Sequence, residues 1–182
     1  MEPVLKNLCL LRREVTAKCY VRLLLPRICF LVLLGLIMLG IAVRHTVLDI
    51  RQLYDVRLLF LLLEYGLGIL GIYLGLSFPR RTANLVFRRI KEQYQVEEYE
   101  RTNSFLPQEI LSESSISSDS IHLPYGNVTR ITEWRGYIIL RTTAQMLYIL
   151  DCARFENGTE TDFWKLMKEK CPQAVPKKYQ NS

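Results

Sequence analysis

The sequence is poor in the residues that build catalytic and metal centres. It has two histidines, His45 and His122, which lie far apart, and five cysteines among 182 residues. No cysteines form a CxxC pair, and isolated cysteines favour reduced, buried thiols. The chain also lacks HExxH, GxSxG and a glycine-rich phosphate loop after a strand. These absences exclude the common metal, nucleotide and nucleophile signatures, so we predict no enzyme, no cofactor and no metal site.

Charge is divided unevenly between the two halves of the chain. Residues 1–95 contain 14 Lys and Arg against 6 Asp and Glu, whereas residues 96–182 contain 10 against 12. A nucleic-acid-binding tail would concentrate the basic residues instead, so we expect no nucleic-acid partner. The basic half also carries the long apolar runs. This arrangement favours cations placed beside an anionic lipid surface.

Two apolar runs are long enough to cross a bilayer. The first, residues 28–43, is free of charge and extends back to about residue 23. The second is "LLFLLLEYGLGILGIYLGLSF", residues 58–78. At about 1.5 Å per residue, about 20 helical residues match a hydrocarbon core of about 30 Å. We therefore predict a transmembrane hairpin at 23–78, with spans at about 23–43 and 58–78.

Lys and Arg near the spans predict the orientation of this hairpin. Six lie in the N-terminal flank up to Arg27, which is at the start of the first span, five follow the second span, and three lie in the loop between them. The loop cations are Arg44, Arg51 and Arg57. Because cytoplasmic flanks are enriched in Lys and Arg, we expect a multi-pass protein of the cell (inner) membrane with both termini cytoplasmic.

A basic segment flanks the hairpin on each side. Residues 1–22 form a basic N-terminal segment, and residues 79–95 form a basic amphipathic stretch, here called the stem. Pro79 is expected to end the second span. The candidate anionic-lipid contacts of the stem are Arg80, Arg81, Arg88, Arg89 and Lys91. They either lie on anionic headgroups or only set the topology, and the sequence favours the two equally.

Glu64 stands inside the second apolar run, where a carboxylate is costly. Glu64, Gly68, Gly71 and Gly75 share one helix face, and small residues let another helix approach closely. We therefore predict a helix-packing seam formed by these four residues. The carboxylate leans toward Arg57, Arg44 or His45, stays protonated, or hydrogen-bonds across a homo-oligomer.

Residues 96–172 change to short β-rich segments separated by turn signals. "NGTETDFWKLMKEKCP" follows as a closing helix, capped by Thr159 or Thr161, with Phe163, Leu166 and Met167 as its apolar stripe. Residues 173–182 read as a polar tail. The predicted fold class is an α+β membrane protein with a small antiparallel β-domain, which we expect to fold without the hairpin.

The β-rich half resembles the YcxB-like C-terminal domain of small bacterial membrane proteins, over roughly residues 94–171. The residues that carry the resemblance are Phe105, the run Ile121-His-Leu-Pro-Tyr-Gly-Asn-Val, Glu133-Trp134, the strands YIIL and LYILDCARF, Phe155, Gly158 and Asp162-Phe163. The chain departs from the family where Asn127 replaces an acidic residue and where Asp151-Cys152 replaces a proline-lysine pair. The resemblance implies a pleckstrin-homology-like sheet in a bacterial cell membrane, and no catalytic residue.

These features together predict a membrane-anchored, non-catalytic binding or scaffolding module on the cytoplasmic face. Its expected partners are the lipid bilayer and a protein segment or a second copy of the chain. The alternative is a small oligomeric transport or proton-linked component that uses Glu64. A lipid-headgroup sensor is a third possibility, but it would carry its cations on the β-domain rather than on the stem.

Overall fold

The structure, a computed structural model, describes residues 3–49, 55–144 and 146–180. It is an α+β fold in which two long apolar helices precede most of the antiparallel strands. The chain divides into two compact units. The helical unit comprises Tyr20–Val86, and the sheet unit comprises Met1–Cys19 together with Phe87–Ser182.

The two long helices are α1, Arg13–Asp49, and α2, Asp55–Tyr94. Both contain a window apolar enough to cross a membrane, with mean hydropathies of 2.5 and 1.9. Large side chains on them are exposed, for example Phe30 at 65% and Leu59 at 69%. Within the predicted interhelical loop, residues 50–54 lie outside the described residues, and Arg51 is one of them.

Pro79 lies inside α2 and does not end the helix. The helix runs on through Pro79, so the stem is its continuation as far as Tyr94. A proline removes one backbone hydrogen bond and crowds the preceding turn. One such defect bends a helix more readily than it ends one when apolar and helix-forming residues continue on both sides.

The sheet unit contains two antiparallel sheets. The five-stranded sheet has the order β4-β3-β2-β1-β8, and the three-stranded sheet has the order β5-β6-β7. In chain order the strands are β1 Leu5–Arg12, β2 Glu98–Phe105, β3 Glu109–Ser114, β4 Ser117–Pro124, β5 Val128–Trp134, β6 Tyr137–Thr142, β7 Leu147–Asp151 and β8 Phe155–Glu156. The strands β3 and β4 form a hairpin and are separated only by Ser115 and Ile116.

The sequence does not predict the strand β1, since residues 5–12 fall in the expected basic N-terminal segment. It pairs along its whole length with β2, from Leu5 opposite Phe105 to Arg12 opposite Glu98, and on its other side with β8. The structure therefore differs from the sequence-based division, since the sheet unit includes the start of the chain. Alternate residues of β1 face the interior, and the polar Asn7 among them hides the apolar alternation.

The hydrophobic core lies between the inner faces of the sheets and the helix α3, Glu160–Lys170. Its fully buried members come from both sheets and from α3, and they include Leu5, Phe105, Ile110, Val128, Ile131, Ile138, Leu140, Tyr148, Leu150, Phe163 and Met167. Phe163 meets Phe105 edge to face, with ring centroids 5.5 Å apart. The closing helix thus packs on the sheets, and its predicted apolar stripe lies in the core.

Thr159 caps α3, as one of the two predicted alternatives. Its side chain accepts from the amide of Asp162, and the Asp162 carboxylate accepts from the amide of Thr159. Residues 173–180 differ from the expected polar tail. Val175 is buried, and within the short helix α4, Lys177–Gln180, Tyr179 stacks on Trp164 with ring centroids 3.9 Å apart.

Candidate functional site

The predicted seam of α2 faces glycine on α1. A Cβ placed on Gly35 would lie 2.7 Å from the carbonyl oxygen of Gly68, and one on Gly68 would lie 2.7 Å from the Leu39 side chain. Built Cβ atoms at Gly71 and Gly75 meet atoms of α1 at 3.4 Å and 3.1 Å. Glycine lets the two backbones approach this closely. Sequence reasoning named the α2 side of this contact and not Gly35.

Glu64 contacts His45 of the neighbouring helix. The Nδ1 atom of His45 lies 3.1 Å from each carboxylate oxygen of Glu64. At the next residue of each helix, the Thr46 hydroxyl oxygen lies 3.2 Å from that of Tyr65. Of the partners expected from the sequence, His45 is in contact with Glu64, and among the described side chains Arg44 forms no ion pair with it. The side chain of Arg57 lies outside the described residues.

The five stem cations are all exposed, and three have partners on the chain itself. Arg88 pairs with Glu92 at 2.8 Å and Lys91 pairs with Glu97 at 2.6 Å. The Arg81 guanidinium lies 5.0 Å from the centre of the Tyr73 ring. In the part of the chain that the structure describes, Arg80 and Arg89 form no such contact. All of these partners are themselves on or next to α2, so the cations remain at the surface.

His122 has a carboxylate partner on the neighbouring strand. Its Nδ1 lies 2.8 Å from Glu109, and its side chain is mostly exposed. The described residues also contain no group of three His, Cys, Asp or Glu placed to hold a metal ion. His122 and Glu109 thus form a hydrogen-bonded pair at the surface of the five-stranded sheet.

Glu133 joins α4 to the three-stranded sheet. It accepts hydrogen bonds from Lys178, at 2.5 Å, and from the hydroxyl of Tyr179. The hydrogen bond from Lys178, followed by that from Tyr179, holds the pKa of the Glu133 carboxyl below its ordinary value. The same contact raises the pKa of Lys178. This cluster fastens the end of the chain to the sheet.

A cavity of about 320 Å³ lies over the inner face of the five-stranded sheet, against the end of α2. We call it the Arg101 cavity. Its lining residues are Ile90, Tyr94, Tyr99, Arg101, Ser112, Ser114, Ile116, Ser117, Asp119 and Ile121. Sequence reasoning missed it because its walls come from four separate segments. The available signal was Arg101 itself, a cation on the inward-facing register of β2.

No family model, no curated protein and no solved structure matches this chain. The resemblance to YcxB-like domains therefore stays a prediction. Function has to be inferred from the geometry of the helices, the sheets and the cavity.

Proposed function

We propose that this protein is a membrane-anchored, non-catalytic binding or scaffolding module of the bacterial inner membrane. Two long helices that leave large apolar side chains exposed carry the membrane part of this proposal, because such surfaces are stable in lipid and not in water. The exposed cations of the stem continue α2 and suit anionic headgroups. The sheet unit is then the binding module.

The Lys and Arg of the flanks support an orientation of this anchor with both termini in the cytoplasm, because cytoplasmic flanks are enriched in these residues. Reporter enzymes fused after Ser182 and inserted between Asp49 and Asp55 test it. We expect opposite signals from the two fusions. A cytoplasmic signal from the insertion would reject the topology.

A YcxB-like, pleckstrin-homology-related architecture is part of the same proposal. Two antiparallel sheets that share one core with a C-terminal helix support it. Such an architecture leaves sheet edges available for a partner.

The proposed partner is an extended protein segment that adds to the edge strand β4. This strand ends the five-stranded sheet, and Ser118, Asp119 and Ser120 on it are exposed. Main-chain hydrogen bonds to an edge give affinity, and side chains opposite the edge give specificity. Asp119 favours a segment with a basic residue across from it.

Site-specific photocrosslinking in native membranes tests this partner. A photoreactive residue at Ser118 should give an adduct of defined mass, and one at Lys165 on the exposed side of α3 should give none. The adduct should disappear with Ser120→Pro and persist with Ser120→Ala, because proline cannot donate to a ladder. The comparison requires that both variants melt at the same temperature as the parent protein, which shows that they are folded. Adducts from both positions, or an adduct insensitive to Ser120→Pro, would reject edge-strand binding.

The contact between Glu64 and His45 favours a second candidate function, a proton-linked membrane component. Paired ionisable side chains on apolar helices are typical of proton pathways. In vesicles containing the purified chain, this function requires proton flux that Glu64→Gln abolishes. A structural role for the pair instead leaves proton flux at the level of protein-free vesicles.

A further inference from the structure

We propose that the Arg101 cavity binds a small organic anion, a molecule with one carboxylate or phosphate group and a compact apolar body. The site goes beyond the proposed edge-strand partner. It uses the inner face of the sheet and the end of α2 instead of the edge of β4.

Arg101 supplies the positive charge of this site. Its guanidinium lies 5.9 Å from the centre of the Tyr99 ring and 5.8 Å from that of Tyr148. These rings hold the guanidinium by cation–π contacts and leave its charge unneutralised. No carboxylate of the described residues forms an ion pair with it, whereas Arg12 and Arg88 both have such a partner. An arginine in this state offers its planar N–H fork to an anion.

Two serine hydroxyls stand beside Arg101 in the sheet. Arg101 is opposite Ser114 on β3, and Ser114 is opposite Ser117 on β4, so the three form a row across adjacent strands. The Ser114 oxygen accepts from the amide of Ile116 at 3.5 Å, and the Ser117 oxygen accepts from the amide of Asp119 at 3.1 Å. Within the described ranges neither hydroxyl proton has an acceptor. Both are therefore available to donate to an anion held by Arg101.

The next row of the sheet adds a buried donor. The hydroxyl of Ser112, which lines the cavity, donates to the side-chain oxygen Oδ1 of Asn103 at 2.8 Å. The Nδ2 atom of Asn103 is buried without a hydrogen-bond partner, although such atoms are normally satisfied. The inner face is thus rich in donors around Arg101.

The remaining walls limit the size and charge of the ligand. Ile90 and Tyr94 of α2, with Ile116 and Ile121 of the β3–β4 hairpin, form an apolar side. A volume of 320 Å³ is near the lower end of small-molecule sites, so one ring fits and a long chain does not. Asp119 is exposed two strands from Arg101, at about 10 Å for a strand spacing of about 4.8 Å. The negative charge of Asp119 is far enough from Arg101 to allow one anionic group there, and it would repel a ligand with several negative charges.

Calorimetric titration of the full chain in neutral maltoside micelles tests this site, with phenyl phosphate and benzoate as probes. We expect saturable binding of at least one probe and at least tenfold weaker binding to Arg101→Gln. The affinity of Arg101→Lys should lie between those of the parent and Arg101→Gln, because lysine keeps the positive charge and lacks the planar pair of N–H donors. Arg130→Gln, at an exposed arginine on β5, is the matched control and should bind like the parent. Phenol, which lacks the anionic group, should bind at least tenfold more weakly than phenyl phosphate.

Three results would overturn the proposal: no saturable binding of either anion, equal affinity for phenol, or unchanged affinity in Arg101→Gln. If Arg101→Gln melts at a lower temperature than the parent, the Ser114→Leu variant is used in its place. The leucine side chain would fill the cavity and should abolish binding. Dihexanoyl phosphatidate identifies the source of the anion. Tighter binding than phenyl phosphate indicates a lipid headgroup, and weaker binding indicates a soluble molecule.

Discussion

Two buried asparagines occupy paired positions on neighbouring strands and differ in what they bind. Asn7 donates to the carbonyls of Asp151 and Arg154, at 2.8 Å and 3.2 Å, and accepts from the amide of Asp151 at 3.1 Å. Asn103, its register partner, has one hydrogen bond and an unpartnered Nδ2. Asn7 therefore ties β1 to the end of β7, across 144 residues of sequence.

We predict that Asn7→Ala destabilises the chain far more than Asn103→Ala. Loss of Asn7 leaves the Asp151 amide without its acceptor, at a cost of about 1–3 kcal/mol, and it also removes one hydrogen bond from each of the Asp151 and Arg154 carbonyls, which keep those from Arg154 and Leu8. Asn103→Ala removes one hydrogen bond and also an orphaned donor. Urea unfolding in micelles, followed by tryptophan fluorescence, gives both free energies of unfolding. Equal losses would show that Asn7 does not hold the β1–β7 junction.

Acid should loosen the end of the chain through Glu133. Its pKa in the folded state is below the ordinary value of 4.5 because of the hydrogen bonds from Lys178 and Tyr179. A lowered folded pKa gives stability that is present above the ordinary pKa and is lost as the pH falls through the folded pKa.

The melting temperature should therefore fall less between pH 7 and pH 3 in Glu133→Gln than in the parent chain. Differential scanning calorimetry of the full chain measures both. Glu113→Gln is the control, because Glu113 is exposed on β3 and has no ion pair among the described residues. If Glu113→Gln changes the pH dependence of the melting temperature as much as Glu133→Gln does, that pH dependence does not come from Glu133.

The contact between α1 and α2 depends on individual glycines to different degrees. Gly35 meets backbone atoms of α2, whereas nothing lies within 4 Å of a Cβ built at Gly40 on the same helix. A backbone obstacle cannot rotate away as a side chain can, so the helices must separate to accept a methyl group at Gly35.

We predict that Gly35→Ala lowers stability by about 1–3 kcal/mol, the usual cost of overpacking. Gly40→Ala should leave stability unchanged or raise it by up to about 1 kcal/mol through helix propensity. Thermal unfolding in micelles compares the two variants, and a disulfide between cysteines introduced on α1 and α2 reports their contact. A silent Gly35→Ala would mean that the two helices do not approach along this seam.

The sheet unit is assembled from both ends of the sequence. Strand β1 lies between β2 and β8, so its removal leaves the edge of β2 that pairs with β1 without a partner. Leu5, Cys9 and Leu11 also lose their places in the interior. This arrangement conflicts with the sequence-based expectation that the β-domain of residues 96–172 folds without the hairpin half of the chain.

We predict that a 96–182 fragment fails to melt cooperatively, and that adding residues 1–19 as a separate peptide restores part of its order. In the full chain, Cys9 should resist alkylation at pH 8, because burial raises the pKa of its thiol to about 12. Mass spectrometry after iodoacetamide treatment measures this protection. Cooperative melting of the fragment alone, or rapid alkylation of Cys9 in the native chain, would contradict the role of β1.

The sequence by itself determined the two long apolar helices, most strands of the second half, and the capped helix α3. Each of these has a signal within a short stretch: an apolar run, a period of two, or a threonine three residues before an aspartate. The α2 half of the glycine seam was visible for the same reason, since helix geometry places residues three and four apart on one face.

Only the tertiary structure decided the place of β1, the partner of Glu64 and the Arg101 cavity. Strand pairing between residues 5–12 and 98–105 crosses more than 80 residues, and no local pattern encodes which edge a strand will meet. His45 reaches Glu64 because the helices pack at Gly35 and Gly68, a contact between two elements. Arg101 becomes a candidate ligand for an anion because four segments close around it and leave its charge unpaired, and such an environment exists only in the folded chain.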